Sequence, residues 1–384
     1  MREMLLLNAM SDTSRGMAAS EIKTGCSREG HDWPRVAISI LNWNGWQATL
    51  ECLESVRQLD YPNYLTIVLD NGSWNDSAEK IKAWAEENLG PGHILADYTR
   101  ETALEGGEPE TEQLLERVPS SARLVLIRNR ENLGFTGGNN VAIRYALDRK
   151  PSADYLFFLN NDAEVASDCL SHLVRIDRQN HVGVVGATIY DEAGQRVIAG
   201  PLTLPHLFAH DPFAGWLSHL GEEKGAFTEV FAAHASAAVI RADALRVVRQ
   251  ARGEYLDDHL FMYFDELPMA YALRQAGFRC VIAKRAMARH KNAYSSGGLR
   301  NPLLYYYLVR NRLLVAREIL PAPRRLMFHL LHVPQAFAQA AKNLLHRRPR
   351  SAWAIMCGLV DGYRGVGGKW KHHDAEALRK VGPA

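Results

Sequence analysis

Residues 123–162 read RLVLIRNRENLGFTGGNNVAIRYALDRKPSADYLFFLNND. An apolar run at 123–127 (RLVLI) leads into a polar, glycine-rich turn, a helix-like stretch near 138–149 and a second apolar run at 154–159 (DYLFFL). Strand, helix and strand in that order describe a βαβ unit, whose strands lie parallel and are buried on both faces. The alternation extends outward, through VAISIL at 36–41 and YLTIVL at 64–69 on one side and VGVVGA at 182–187 on the other. Helices are expected near 46–58, 75–88 and 168–179. The fold class is therefore α/β and Rossmann-like, a mostly parallel central sheet flanked by helices. One stretch, Ala96–Ser121, interrupts the pattern with seven acidic residues and a Gly106-Gly107 pair. It reads as a solvated surface insertion, with a short helix at 111–117.

The rest of the chain sets the frame. Of 384 residues, 47% are hydrophobic and 23% charged, which excludes general disorder. The net charge of +2 gives no overall signal for nucleic acid. Its distribution is uneven: residues 305–384 hold 14 Lys/Arg against 4 Asp/Glu. Five scattered cysteines without a CxxC argue against a disulfide scaffold and for a reducing, cytoplasmic setting. The longest apolar run, Trp353–Val360, is far short of the ~20 residues that span a bilayer. The opening MREMLLLNAM turns polar too soon for a secretory signal. Residues 1–33 read as a flexible leader. From Asn301 onward the chain reads as helices at 305–320, 325–346 and 351–362.

In a parallel sheet, ligands bind beyond the carboxyl ends of the strands. Four successive strand ends here carry Asn, Asp and Gly: Asn42-Trp43-Asn44-Gly45, Asp70-Asn71-Gly72-Ser73, Asn129–Asn140 and Asn160-Asn161-Asp162. Any one of them is ordinary turn and cap chemistry. Four at one sheet edge point to a polar ligand. Gly134, Gly137 and Gly138 would let backbone approach a phosphate at a helix start. The first turn holds neither G-x-G-x-x-G nor a P-loop, which removes a dinucleotide dehydrogenase and a P-loop NTPase. It also lacks the glycine- and arginine-rich loop of a sugar-nucleotide pyrophosphorylase. Asp162, at the end of a buried strand, either caps the next helix or holds Mg²⁺ or Mn²⁺ together with diphosphate oxygens.

The series VAISILNWNG, IVLDNGSWNDS, RNRENLGFTGGNN and YLFFLNNDAEV resembles a family 2 glycosyltransferase of the GT-A fold, in its rhamnosyltransferase-like branch, over roughly residues 35–315. The resemblance implies that Asp70 bonds the donor's pyrimidine base and that Asn42 and Asn44 line the nucleotide pocket. It implies that Asn132, Gly138 and Asn139 lie against the diphosphate and sugar. Asn160-Asn161-Asp162 occupies the D-x-D position, with Asp162 as direct metal ligand. Asn160 in place of the first Asp lowers the negative charge, so the metal is expected to arrive mainly with the nucleotide. His290 falls where the family supplies a histidine ligand, and an imidazole suits Mn²⁺ better than Mg²⁺.

Asp265-Glu266 follows an aromatic, strand-like run (FMYF) and opens a helix. Helix-start acids are commonplace, but adjacent carboxylates also raise each other's pKa and suit a general base. The segment resembles the family's E-D motif in inverted order. Position favours Glu266 as the base, with Asp265 close behind. Pro268 and Ala272 replace an Asp and an Arg usual in the family. Ala232–Arg241 resembles the acceptor floor, with His234 as an acceptor contact, and Lys291–Gly298 resembles a mobile loop over the donor. Leu202–Gly225 reads as a long loop suited to an acceptor lid. Arg310 and Arg312 either neutralise phosphate or form a solvated helix face.

The expected organisation is a catalytic domain at 34–300, with a nucleotide half (34–190) and an acceptor half (191–300), followed by a basic helical extension at 301–384. The expected activity is inverting transfer of a sugar, rhamnose by the branch resemblance, from a dTDP- or UDP-linked donor to a saccharide or lipid-linked acceptor. The extension either touches an anionic membrane surface or packs on the protein. A catalytically impaired sugar-nucleotide or glycan-binding module of the same fold is the alternative.

Overall fold

The computed structural model describes residues 33–177, 182–191, 194, 196–197, 225–291 and 301–371. Residues 1–32 of the leader, residues 202–224 of the long loop, and residues 292–298 of the donor-covering loop lie outside them.

The apolar runs become strands whose alternate side chains supply two cores. β1 (Val36–Asn42), β2 (Tyr64–Asn71), β3 (Ile94–Thr99), β4 (Arg123–Asn129) and β5 (Tyr155–Asn160) lie parallel, in the order β3-β4-β2-β1-β5. The sheet continues through four further strands: β6 (Ala163–Val165), β7 (Val182–Tyr190), β10 (Ala237–Arg241) and β11 (Arg279–His290). Their order from β5 is β10-β7-β11-β6, with β10 antiparallel to both neighbours and β11 parallel to β7. Two short strands, β8 (Arg196–Val197) and β9 (Phe227–Val230), add to β7 and β11.

Helices α1 (Trp46–Arg57) and α2 (Ser77–Asn88) cover one face. There Cys52, Leu53, Ile81 and Trp84 pack on Ile38, Ile40 and Phe157. The other face presents Ala37, Ile67, Leu156 and Phe158 to a core shared with the later helices. α3 (Arg100–Leu104) and α4 (Pro109–Leu115) follow β3, α5 (Gly134–Asp148) follows β4, and α6 (Cys169–Asp177) precedes β7. α7 (Ala242–Arg252) and α8 (Glu266–Gln275) precede β11. The chain then runs into α9 (Pro302–Ile319), α10 (Ala322–Leu345) and α11 (Pro349–Arg364). Gly358 and Gly362 let α11 press on α9, since a Cβ at Gly358 would come within 2.7 Å of Tyr306 O. Strand register aligns the polar termini: Asn42 opposite Asp70, Asn71 opposite Asn129, and Leu41 opposite Asn160.

Ala96–Ser121 is not a solvated insertion. It contributes the edge strand β3, α3 and α4, and its Ala103 and Leu115 are fully buried. The buried Glu112 carboxylate accepts from Tyr98 Oη (3.0 Å), Tyr145 Oη (2.7 Å) and Arg149 Nε (2.7 Å). A charge with that many donors tolerates burial. Two of the three come from α5 and the residue after it, so local sequence could not show them.

Candidate active site at the strand ends

The first half of the site is built where β1 and β2 end. Asn42 is fully buried, and its Nδ2 donates to Asp70 Oδ1 (2.7 Å) and Ser73 Oγ (3.2 Å). Its Oδ1 accepts from Gly45 N (3.2 Å) and Thr49 Oγ1 (3.0 Å). Ser73 Oγ donates to Asp70 Oδ1 (2.6 Å) and accepts from Asn44 N (2.8 Å). Asn42 therefore orients Asp70. Asn44 has φ +56°, which asparagine tolerates. Its Oδ1 accepts from Trp74 N (2.9 Å), while its Nδ2 is buried without a partner. Trp43 and the half-exposed Trp74 meet edge to face at 5.2 Å.

Asn71, which sequence reading passed over as part of a turn, joins β2 to the next turn. Its Oδ1 accepts from Asn129 Nδ2 (3.0 Å) and Leu133 N (3.1 Å). Its Nδ2 donates to Asn132 Oδ1 (3.1 Å) and Gly134 O (3.0 Å). Asn132 Oδ1 also accepts from Gly134 N (2.8 Å). Gly138 is buried, with Leu41 where a Cβ would go. Asn139 uses both ends of its amide inside the protein, accepting from Ser39 Oγ (2.9 Å) and donating to Phe135 O (2.9 Å). Helix α5 starts at Gly134, four residues before the expected start, so these glycines and asparagines form its first turns.

At the end of β5, Asn160 N donates to Ser236 O (2.9 Å). Asn161 turns inward and donates to Thr49 Oγ1 (3.1 Å) and Gly45 O (3.3 Å). Asp162 Oδ1 lies 3.0 Å from His290 Nε2, and Asn160 Nδ2 lies 3.1 Å from the same nitrogen. The pairing of β6 with β11 sets Ala163 opposite His290, and Lys291 N donates to Asp162 O (3.0 Å). These contacts bring together residues that are far apart in sequence. His234 Nδ1 lies 2.8 Å from Ser236 Oγ, and its ring centroid is 6.4 Å from that of His290.

Asp265 and Glu266 are both buried at the start of α8, and Asp265 Oδ2 has no hydrogen-bond partner among the described residues. Burial pushes both carboxyls above the ordinary carboxylate range, and for Glu266 the Asp265 charge adds to that. Desolvation thus outweighs the favourable end of the helix dipole. Pro268 falls in the first turn, where a missing N–H costs no helix bond.

The aromatic run before the pair is a strained turn, not a strand. Phe261, Tyr263 and Phe264 have φ of +64°, +66° and +67°, a region that bulky residues enter only when their surroundings impose it. Side chains from α9 impose it. Asn311 Nδ2 donates to Leu260 O (3.0 Å), Met262 O (2.6 Å) and Tyr263 O (3.0 Å). Arg310 donates to His259 O (3.0 Å), Leu260 O (2.9 Å) and Gly368 O (2.6 Å). Arg310 is therefore a buried carbonyl clamp, neither a phosphate ligand nor part of a solvated face. Arg312 is also buried, lies 5.6 Å from the Phe264 ring, and has its pKa lowered by burial to about 10.

The turn docks on the glycine helix. Phe261 O accepts from Phe135 N (2.6 Å) and Thr136 N (3.3 Å). A Cβ on Gly134 (φ +77°) would overlap Phe261 O. The glycine read as room for phosphate makes room for the acid-bearing turn. Asn311→Leu should strand carbonyls whose loss costs ~1–3 kcal/mol each. The expected result is a lower melting temperature and a turnover at least ~10-fold lower, with donor affinity retained. Steady-state kinetics beside donor calorimetry check it, and a loss confined to donor affinity contradicts the positioning role.

Residues 105–249 match the family model described as Glycosyl transferase family 2. That span is therefore similar to a family 2 glycosyltransferase domain. The matched span includes Asn132 through Asp162 but stops before the acid pair and His290. The low-salt glycan biosynthesis hexosyltransferase Agl10 of Haloferax volcanii is 25% identical over 188 residues, 49% of this chain. That match spans 58% of the length of Agl10. The structure of the mannosyltransferase PcManGT from Pyrobaculum calidifontis, in complex with GDP-Man and Mn²⁺, has 14% identity and a TM-score of 0.52. The likeness covers 87% of this chain and 88% of that one. The chain therefore has the GT-A fold, with a helical C-terminal region.

Proposed function

We propose that this chain transfers a sugar from a nucleoside diphosphate to a hydroxyl of a saccharide or lipid-linked acceptor, with inversion at the anomeric carbon. The observation that carries the proposal is the buried Asp265-Glu266 pair, with one carboxylate oxygen unpartnered among the described residues, on a turn docked against the donor-side helix. Hexosyl transfer by Agl10 and mannosyl transfer by PcManGT support the reaction class. The motif resemblance favours a dTDP- or UDP-linked donor and rhamnose as the sugar. Four free cysteines among the described residues agree with a reducing, cytoplasmic setting.

The donor set at Asp162 and His290 suits a divalent cation. A carboxylate oxygen and an imidazole nitrogen converge at 3.0 Å, with Asn160 beside them. No group of three or more His, Cys, Asp or Glu suited to a metal occurs among the described residues. Asn160 in place of an Asp favours a cation that shares the diphosphate oxygens. The imidazole favours Mn²⁺ over Mg²⁺. When bound, the cation offsets charge on the leaving diphosphate.

The chain's own groups then do three things. Asn42 and Ser73 hold Asp70 at the strand end, where it meets the donor's base. Asn71 and Asn132 hold the wall around the diphosphate, with Gly138 and Asn139 supporting it from behind. Glu266, or Asp265 in its place, takes the proton from the acceptor hydroxyl as that oxygen attacks. General-base removal contributes ~10²–10⁴ in rate.

Both carboxyls are raised, so the basic form is lost at a higher pH than for ordinary carboxylates. The acid limb of kcat/KM should accordingly lie above the usual carboxylate range, with the two groups titrating as a coupled pair. A pH series checks it, and a rate constant from neutrality down to about pH 5 contradicts it. The reading as a whole is tested by screening nucleoside-diphosphate sugars for thermal stabilisation with Mn²⁺ and with chelator. One donor should raise the melting temperature only with the metal, and no rise with any donor contradicts the proposal. Asn160 at the D-x-D position favours a second reading, a binding module without turnover. Donor stabilisation without any Mn²⁺-dependent donor hydrolysis would select it.

A further inference from the structure

α10 buries Phe328, His332, Ala336 and Ala340 on one side and exposes apolar residues on the other. Leu345 is 84% exposed, Leu330 66% and Leu326 62%, with Leu331 and Phe337 above half. On α11, Trp353 is 65% exposed, while its neighbour Ala354 is fully buried in the cluster that holds Phe261 and Trp370. Monomer surfaces do not carry so many large exposed apolar side chains on one helix pair without a partner.

Charge indicates which partner. Residues 321–350 contain six basic residues (Arg324, Arg325, Lys342, Arg347, Arg348, Arg350) and no Asp or Glu. The basic groups lie toward the two ends of α10 and at the start of α11, bracketing the apolar face. A symmetric contact with a second copy would bring these like charges together. No helix among the described residues is long and apolar enough to cross a membrane.

We propose that the outer face of α10 and α11 docks on an anionic lipid surface, with its apolar side chains in the acyl boundary and the flanking arginines among the headgroups. The face opposite the lipid holds the acid-bearing turn, since α11 packs on α9 and Ala354 on the Phe261 cluster. A membrane-docked α11 therefore lies behind the turn that presents Asp265 and Glu266. This docking does not depend on the transfer reading and is tested without activity.

The experiment is co-sedimentation of the full chain with vesicles of phosphatidylcholine alone and with about one-third phosphatidylglycerol. Binding to the anionic vesicles at low salt should be at least ~10-fold tighter and should fall ~10-fold as salt rises to about 0.5 M. Leu330→Ser with Trp353→Ser alters exposed side chains only, so the melting temperature should hold while vesicle binding is lost. Arg347→Ser with Arg350→Ser should keep the fold and erase the preference for anionic lipid. Equal binding to both vesicle types, or undiminished binding by the folded Leu330/Trp353 variant, overturns the proposal. So does light scattering that shows a wild-type dimer, made monomeric by that variant, with no vesicle binding.

Discussion

Glu266→Gln should lower turnover by at least ~10² while donor affinity stays within a few-fold of wild type. The amide keeps the shape and polarity of the side chain but cannot take a proton. Folding should not suffer. A carboxyl whose folded pKa is raised loses stability as pH rises from its unfolded value through its folded one. Burial raises Glu266 in this way, so the ionised group costs stability above neutrality and glutamine removes that cost. The variant should melt higher than wild type at pH ~8 and gain little near pH ~4, where the folded carboxyl is protonated and the unfolded one is only partly ionised. If only Asp265→Asn shows the loss of turnover with retained donor binding, the roles within the pair are reversed. If neither variant does, the acid pair is not the base.

Asp162→Ala should abolish Mn²⁺-dependent binding of the nucleoside diphosphate and lower turnover with it. The carboxylate stands 3.0 Å from His290 Nε2 and is the one charged oxygen ligand in the donor set described above. His290→Ala should weaken Mn²⁺ more than Mg²⁺, because the imidazole is the softer ligand. Calorimetry with donor and each metal reads both effects. Unchanged donor affinity in folded Asp162→Ala contradicts a metal role for the strand end.

Much of the fold was legible because its signals are local. β-branched runs bounded by Asn, Asp and Gly became the parallel strands, and the register set their polar ends side by side. The three C-terminal helices fell close to their expected spans. What sequence missed depends on distant partners. Glu112 reads as surface charge until Tyr145 and Arg149 reach it from the end of α5. The FMYF run reads as a strand because its residues favour strands, but Asn311 holds its Met262 and Tyr263 carbonyls, Arg310 holds those of His259 and Leu260 just before it, and the backbone between takes positive φ. β6 is only three residues long, yet it aligns Asp162 with His290. Asn71 was hidden by its own context, since an Asp-Asn-Gly after a strand is ordinary turn chemistry. The GT-A resemblance assigned Asp162 and His290 to one metal, and in the folded chain the two lie 3.0 Å apart.

Whether Asp162 and the buried acid pair belong to one metal-dependent sugar-transfer site is decided by the rate of nucleoside-diphosphate release from the stabilising donor, in Mn²⁺ and in chelator, for wild type, Asp162→Ala and the Asp265→Asn/Glu266→Gln double variant. Release is expected in wild type only with the metal, with a fall of at least ~10² in both folded variants when acceptor is present. Release at the wild-type rate from either folded variant would contradict a shared site.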